Sequence, residues 1–159
     1  MAENRFSVSE VVEQAVRTEH LGYEFYLEMA EKFEKENQKL SGLFRTLAAK
    51  EQEHEQRYRQ LHEAVGEEEP EGWEDVSEYM RAFAESEFFL GAGEKALLKM
   101  KQVDTMADAV DFAINFEKET LLYFLGLRDT VQQKDVVDEI IIEERSHIMW
   151  LNKFKRENL

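Results

Sequence analysis

Two Glu-x-x-His motifs are the parts of this 159-residue chain whose residue types and spacing favour metal chemistry. Glu51 stands three positions before His54, and Glu144 stands three positions before His147. Residues three apart share one face of a helix, so each motif offers a carboxylate and an imidazole to one metal ion. This mixture of ligands suits iron or manganese better than calcium or structural zinc. The two motifs therefore predict a site for redox-active metal.

The place of each motif within its helix carries more weight than its spacing, because glutamate is common in this chain and the spacing recurs by chance. Each motif interrupts a run of apolar residues that advances in steps of three and four, which marks the buried seam of a helix. These runs are Leu43, Leu47, Tyr58 and Leu61 around the first motif, and Val137, Ile140, Leu151 and Phe154 around the second. Both motifs are therefore expected to point into the interior of the fold.

The chain also reads as two copies of one helical hairpin, and the first helix of each copy supplies a further glutamate. Glu19 precedes an aromatic pair at positions 25 and 26, and Glu117 precedes an aromatic pair at positions 123 and 124 with the same spacing. Both glutamates interrupt the apolar seams of their helices. We therefore add Glu19 and Glu117 to the predicted metal ligands.

Two neighbouring carboxylates compete for these assignments. Glu119 is the alternative to Glu117, because the aromatic residues of that helix form a second face that would turn Glu119 inward. Glu143 is a weaker rival of Glu144. The internal repeat favours Glu117.

Four carboxylates in a dry interior require cations. Burying ionised carboxylates without partners costs several kcal/mol each, and no basic residue stands at the seam positions beside them. Two divalent ions cancel the charge of four glutamates while both histidines stay neutral. The sequence therefore predicts two iron ions per chain, with manganese or a mixed pair able to use the same ligands.

Tyr26 lies two helical turns from Glu19 on the same face and is the candidate catalytic residue. One interpretation makes it a core aromatic whose hydroxyl binds a ligand carboxylate. The other makes it a redox-active or proton-delivering phenol beside the bound oxidant. The sequence does not separate these two roles.

Four long amphipathic helices are predicted to hold these residues. The first begins near Ser7, which has capping-box spacing to Glu10, and ends in the polar run 34–39. The others span about 41–65, 105–130 and 135–156. The segment 66–72 is a turn, the aromatic-rich segment 73–90 a short helix, and Gly91 and Gly93 a break. This order predicts one all-α domain over residues 1–159, an antiparallel four-helix bundle with a long crossover between its second and third helices.

The composition excludes several other classes of protein. The chain has no cysteine, which removes disulfides, iron–sulfur clusters, thiol catalysis and Cys-ligated zinc. A net charge of −15 disfavours nucleic acid and anionic membrane surfaces as partners. No apolar run is long enough to span a bilayer, and the first ten residues show no export signal, so a cytoplasmic location is expected.

The six predicted ligands together resemble the di-iron carboxylate signature of ferritin-like proteins. The spacing of Glu19 from Tyr26 and the long crossover resemble the rubrerythrin branch. Two features differ from that branch: the chain lacks the Cys₄ iron domain that rubrerythrins usually carry, and Ile114 and Thr120 stand where an extra carboxylate is usual. Both differences weigh against peroxide reduction of the rubrerythrin type.

The resemblance implies a ferritin-like bundle and an oxidoreductase that reacts with H₂O₂ or O₂ and takes electrons from an external donor. The alternatives are iron oxidation for storage and a non-catalytic metal-binding module. The aromatic stretch 73–89 predicts a contact between subunits, and hence a homodimer, because so many exposed apolar side chains would favour aggregation of a monomer. The long crossover would also permit helices to be exchanged between the subunits.

Overall fold

Six α-helices make up most of the chain that this computed structural model describes, residues 6–84 and 94–159. They are α1 (Val8–Phe33), α2 (Gln38–Ala64), α3 (Trp73–Ala84), α4 (Glu94–Lys101), α5 (Met106–Thr130) and α6 (Lys134–Asn158). The described residues contain no β-strand, which confirms the predicted all-α class. No helix in these two ranges combines the length and the apolar character that crossing a membrane requires.

Side-chain caps fix where the long helices begin. Ser7 and Glu10 form the predicted capping box at the start of α1, with the Ser7 side chain accepting from the Glu10 N–H and the Glu10 side chain from the Ser7 N–H. Thr105 forms the same arrangement at the start of α5. The second helix begins earlier than the predicted residue 41, because the Asn37 side chain accepts a bond from the Leu40 N–H.

The crossover between α2 and α5 contains more helix than predicted. The aromatic-rich segment forms α3, which packs on α5 and is held there by a 2.8 Å hydrogen bond from the Tyr79 hydroxyl to the Leu122 carbonyl. A second short helix, α4, was not predicted. The remainder of the predicted crossover helix and the break at Gly91 and Gly93 lie outside the described residues.

The hydrophobic core consists of two clusters at different levels along the bundle. One contains the C-terminal half of α1, the first part of α2 and the first half of α5; the other contains the opposite parts of the same helices. Glu19 on α1 and Glu117 on α5 each lie between a helical segment that contributes to one cluster and a segment that contributes to the other. The same holds for the Glu-x-x-His motifs of α2 and α6. The fold therefore brings all four polar segments to one level of the bundle.

Candidate metal centre

Six buried side chains meet at the level between the two core clusters, and we call them the Glu/His cage. Each has an exposed fraction of 0%. They are the predicted residues Glu19, Glu51, His54, Glu117, Glu144 and His147. Local sequence explains the placement, because each residue occupies a seam position of an amphipathic helix whose other seam positions are apolar.

The cage divides into two groups, each of which could hold one metal ion. The first group is Glu19, Glu51, His54 and Glu144; the second is Glu51, Glu117, Glu144 and His147. Within a group the candidate ligand atoms all lie within 4.8 Å of one another. Glu51 and Glu144 belong to both groups, so their carboxylates stand where they could bridge two neighbouring ions. The cluster is thus able to bind metal.

Both imidazoles turn the same nitrogen toward the carboxylates. His54 Nδ1 lies 2.8 Å from Glu144 Oε1 and 3.7 Å from Glu19 Oε1. His147 Nδ1 lies 3.1 Å from Glu144 Oε2 and 3.3 Å from Glu51 Oε1. The two rings are stacked, with centroids 5.6 Å apart. The Nδ1 atoms are therefore the ones that would bind metal, one for each ion.

Many polar atoms of the cage have no hydrogen-bond partner among the described residues. They include both carboxylate oxygens of Glu19, both of Glu51, one each of Glu117 and Glu144, and Nδ1 of His54. Buried polar atoms in folded proteins are almost always paired, because leaving one unpaired costs about 1–3 kcal/mol. Oxygen and imidazole atoms that converge without partners fit a pair of cations.

The pKa values of the cage describe a site that holds protons when it holds no metal. Burial, followed by the charges of Glu51 and Glu144, raises the pKa of Glu19 well above its usual range. Burial and then the neighbouring Glu144 raise the pKa of Glu117 to about 8. Burial lowers the pKa of His54, but the close contact and charge of Glu144 outweigh it and raise the value to about 9. Metal must therefore displace protons to enter.

Tyr26 contacts the cage through its hydroxyl, which donates a 2.6 Å hydrogen bond to Glu117 Oε1. Its ring is fully buried against aromatic neighbours, which fixes the direction of the hydroxyl. Burial, followed by the charge of Glu117, raises the pKa of Tyr26, so the phenol stays protonated and remains a donor. The geometry matches the first of the two predicted roles, and the redox role stays a prediction.

Glu143 contacts a histidine of the cage from outside, a position that the sequence does not predict. It lies outside both ligand groups, and its Oε2 is 2.9 Å from the outer nitrogen of His54, Nε2. Its other oxygen accepts a hydrogen bond from Arg57 Nη1 at 3.3 Å. Carboxylates in this position fix the tautomer of a metal-binding histidine and raise its basicity. The sequence carried no signal for this contact, because it joins residues far apart in the chain.

Two other positions on the helices of the cage bear on the predicted ligand set. Glu119 is half-buried and outside both ligand groups, so Glu117 is the α5 carboxylate of the cage. Gly22, one turn after Glu19, lies against the cage: a Cβ built there would be 2.9 Å from Glu51 Oε2 and 2.9 Å from Phe116 Cε1. A glycine inside a long helical pattern was the available signal, because glycine weakens helices.

Comparison with known proteins agrees with this geometry. The model of the rubrerythrin family matches residues 10–92. A solved structure from Thermotoga maritima, described as a candidate ferritin-like diiron-carboxylate protein, is 27% identical, with 99% of each chain covered and a TM-score of 0.72. No curated protein matches the chain. The predicted ferritin-like bundle is confirmed, and the chain belongs to the rubrerythrin family.

Proposed function

We propose that the protein binds two iron ions in the Glu/His cage and is an oxidoreductase that reduces hydrogen peroxide or dioxygen. The observation that carries the proposal is the pair of buried ligand groups that share Glu51 and Glu144. Manganese, or a mixed pair, would use the same ligands.

Charge balance supports two divalent ions in this cage. Four ionised glutamates carry four negative charges, and two divalent ions cancel them while both histidines are neutral and free to bind through Nδ1. A single ion would leave two buried charges uncompensated, which is costly in a dry interior. Tyr26 and Glu143 hold one ligand each, Glu117 and His54, in the required orientation.

Two ferrous ions in this site would supply the two electrons that reduce hydrogen peroxide, together with two protons, to two water molecules, and an external donor would restore those electrons. The chain itself supplies a dry site, because the core clusters on both sides exclude bulk water. The Tyr26 hydroxyl, protonated and bonded to Glu117, places a phenolic proton in direct contact with the cage.

The decisive experiment measures metal and turnover in protein purified from its own host. We expect about two iron ions per chain and an absorption spectrum of an oxo-bridged ferric pair. Stopped-flow mixing of the reduced protein with peroxide should oxidise both ions rapidly, and a reductant should restore them. Zinc as the native metal, or no fast oxidation with either peroxide or dioxygen, would refute the oxidoreductase proposal.

Two variants test the ligand assignment. Glu51→Ala and His147→Ala should each abolish binding of the metal pair, because each removes a ligand from the cage. The apo form of Glu51→Ala should still fold, since the change removes one buried charge. Matched controls on the same helices are Glu53→Ala and Ser146→Ala, whose side chains lie outside the cage and should leave metal content unchanged. Normal metal content in both cage variants would show that the assignment is wrong.

We also propose that the protein is a homodimer. Large apolar side chains remain exposed on α5 and α6, notably Leu122, Leu125, Ile142 and Met149, with exposed fractions from 45% to 68%. Burying such residues against a second copy would stabilise both chains. Sedimentation velocity at several concentrations distinguishes a dimer from a monomer, and a chain that stays monomeric throughout would contradict the proposal.

A further inference from the structure

Thr120 is a buried hydroxyl beside the Glu/His cage for which the described residues provide no hydrogen-bond partner. Its side chain has an exposed fraction of 0%, and Oγ1 is unpaired. It stands one helical turn after Glu117 on α5. A hydroxyl buried in this way costs free energy unless something binds it.

The other threonines inside the described helices do not share the missing hydrogen bond of Thr120. A threonine inside a helix usually donates to the carbonyl four residues earlier. Thr18 donates to Gln14 O at 2.8 Å, Thr46 to Gly42 O at 3.1 Å and Thr130 to Gly126 O at 2.9 Å. Within the described helices, Thr120 alone among the threonines lacks this bond. Its hydroxyl is therefore free to donate elsewhere.

The position of Thr120 places that hydroxyl in the bundle interior at the level of the cage. Among the fully buried positions of α5, one seam runs through Ala113, Glu117, Thr120, Phe124 and Leu127. Two tyrosine hydroxyls donate hydrogen bonds between α1 and α5. Tyr26 donates to Glu117, and Tyr123 donates to the Val11 carbonyl. Thr120 lies between these two levels on α5, as Glu19 does on α1. Both carboxylate oxygens of Glu19 are also without partners.

We propose that the Thr120 hydroxyl donates a hydrogen bond to the small oxygen- or nitrogen-donor ligand that binds the metal pair, such as peroxide. This inference rests on the proposed function. A neutral hydroxyl suits the task, because the four glutamates already balance two divalent ions. A further carboxylate at this position would add negative charge and repel an incoming anion, whereas a hydroxyl offers a donor without charge.

Azide is the probe that tests this proposal, because it is a small anion whose binding to the diferric protein changes the absorption spectrum. Thr120→Val keeps the shape of the side chain and removes the donor, so it should weaken azide binding about 10-fold, equivalent to about 1.4 kcal/mol. Thr120→Ser keeps the hydroxyl and should retain most of the affinity. Thr130→Val is the control on the same helix, since its hydroxyl bonds the backbone, and it should bind azide as the unmodified protein does.

Thermal unfolding of the metal-free protein gives a second readout. Thr120→Val replaces an unpaired buried hydroxyl with a methyl group and should raise Tm by roughly 2–4 °C. Thr130→Val loses a bonded hydroxyl and should not be stabilised. A Tm that falls in Thr120→Val would mean that the hydroxyl has a partner within the protein, which overturns the proposal.

The outcomes separate this inference from the proposed function. If the unmodified protein binds two iron ions and azide, and Thr120→Val binds azide with unchanged affinity, the role of Thr120 is wrong and the metal centre stands. If the unmodified protein takes up no metal pair, the proposed function fails and the inference fails with it. Weak azide binding by both Thr120→Val and Thr120→Ser would show that the methyl group matters rather than the hydroxyl, which also overturns it.

Discussion

Replacing Gly22 by alanine tests how closely the bundle fits around the Glu/His cage. The added Cβ would lie 2.9 Å from Glu51 Oε2, and 2.9 and 3.0 Å from two carbons of the Phe116 ring. Ordinary van der Waals contact at a Cβ begins near 3.4 Å. Glu51 and Phe116 must therefore each move by roughly half an ångström, or the helices must separate.

Two opposing free-energy terms decide the effect on the metal-free protein. Alanine is favoured over glycine inside a helix by about 1 kcal/mol. Overpacking a buried site costs about 1–3 kcal/mol, and Phe116 is a fully buried ring that cannot move outward without displacing its neighbours. The free energy of unfolding should therefore stay the same or fall by up to about 2 kcal/mol.

The effect on metal binding should be larger, because Glu51 belongs to both ligand groups. Metal sites tolerate errors of only about 0.2 Å in ligand distance, so a half-ångström displacement of Glu51 disturbs both ions at once. We expect the affinity for the metal pair to fall at least about 10-fold, a loss of about 1.4 kcal/mol. Calorimetric titration with Mn²⁺ measures this affinity without redox chemistry.

Gly42→Ala is the matched control. Gly42 is an exposed glycine of α2, and a Cβ built there meets nothing within 4 Å. This variant should gain up to about 1 kcal/mol of stability and bind metal normally. If Gly22→Ala were stabilised as Gly42→Ala is and bound two ions with unchanged affinity, the close packing of α1 against Glu51 would have no role in the site.

Three further predictions concern the groups around the cage. Tyr26→Phe should keep the metal pair but alter the rate of its oxidation by peroxide in stopped-flow experiments, because Glu117 loses its donor; identical kinetics would leave Tyr26 with only a packing role. Glu143→Ala should weaken metal binding about 10–100-fold by removing the acceptor behind His54, while Glu139→Ala, which leaves that contact intact, should not. The Tm of the metal-free protein should fall as pH rises from about 5 to about 9, because the folded-state pKa values of Glu117 and His54, about 8 and about 9, lie above their ordinary values of 4.5 and 6.5. Stability from such groups is complete below the ordinary pKa and is lost as pH rises through the folded-state value; a Tm that increases across this range in calorimetry would contradict the assignment.

The six residues of the Glu/His cage could be predicted from sequence because their burial follows from a local pattern. A polar residue at an apolar seam position of a helix must be buried, and only a few partners can compensate it. The internal repeat then favours Glu117 over Glu119, and Glu117 is the one that lies in the cage. The start of α1 was equally predictable, since Ser7 and Glu10 form a cap from residues three apart.

The features that sequence did not predict depend on contacts between distant segments. The helix α4 has only eight residues, too few to be stable alone, and it is followed by Val103, whose carbonyl accepts a 2.6 Å hydrogen bond from Lys32 Nζ. The contact of Glu143 with His54 spans 89 positions. Whether the Thr120 hydroxyl bonds its own helix depends on the side-chain rotamer, and no local pattern reveals it.

The two hairpins of the repeat supply equivalent candidate ligands, but the residues around those ligands differ. His54 has a carboxylate behind its outer nitrogen, whereas the outer nitrogen of His147 is buried without a partner and its ring packs near Trp150. One turn after the first-helix glutamate, one copy has Gly22, packed closely against Glu51, and the other has Thr120 with an unpaired hydroxyl. The carboxylate behind His54 fixes its tautomer and raises its basicity as a ligand. The second copy adds Thr120, a donor for an incoming ligand, one turn after Glu117. Two hairpins with equivalent ligands can therefore build two inequivalent metal positions, because the residues behind the ligands differ.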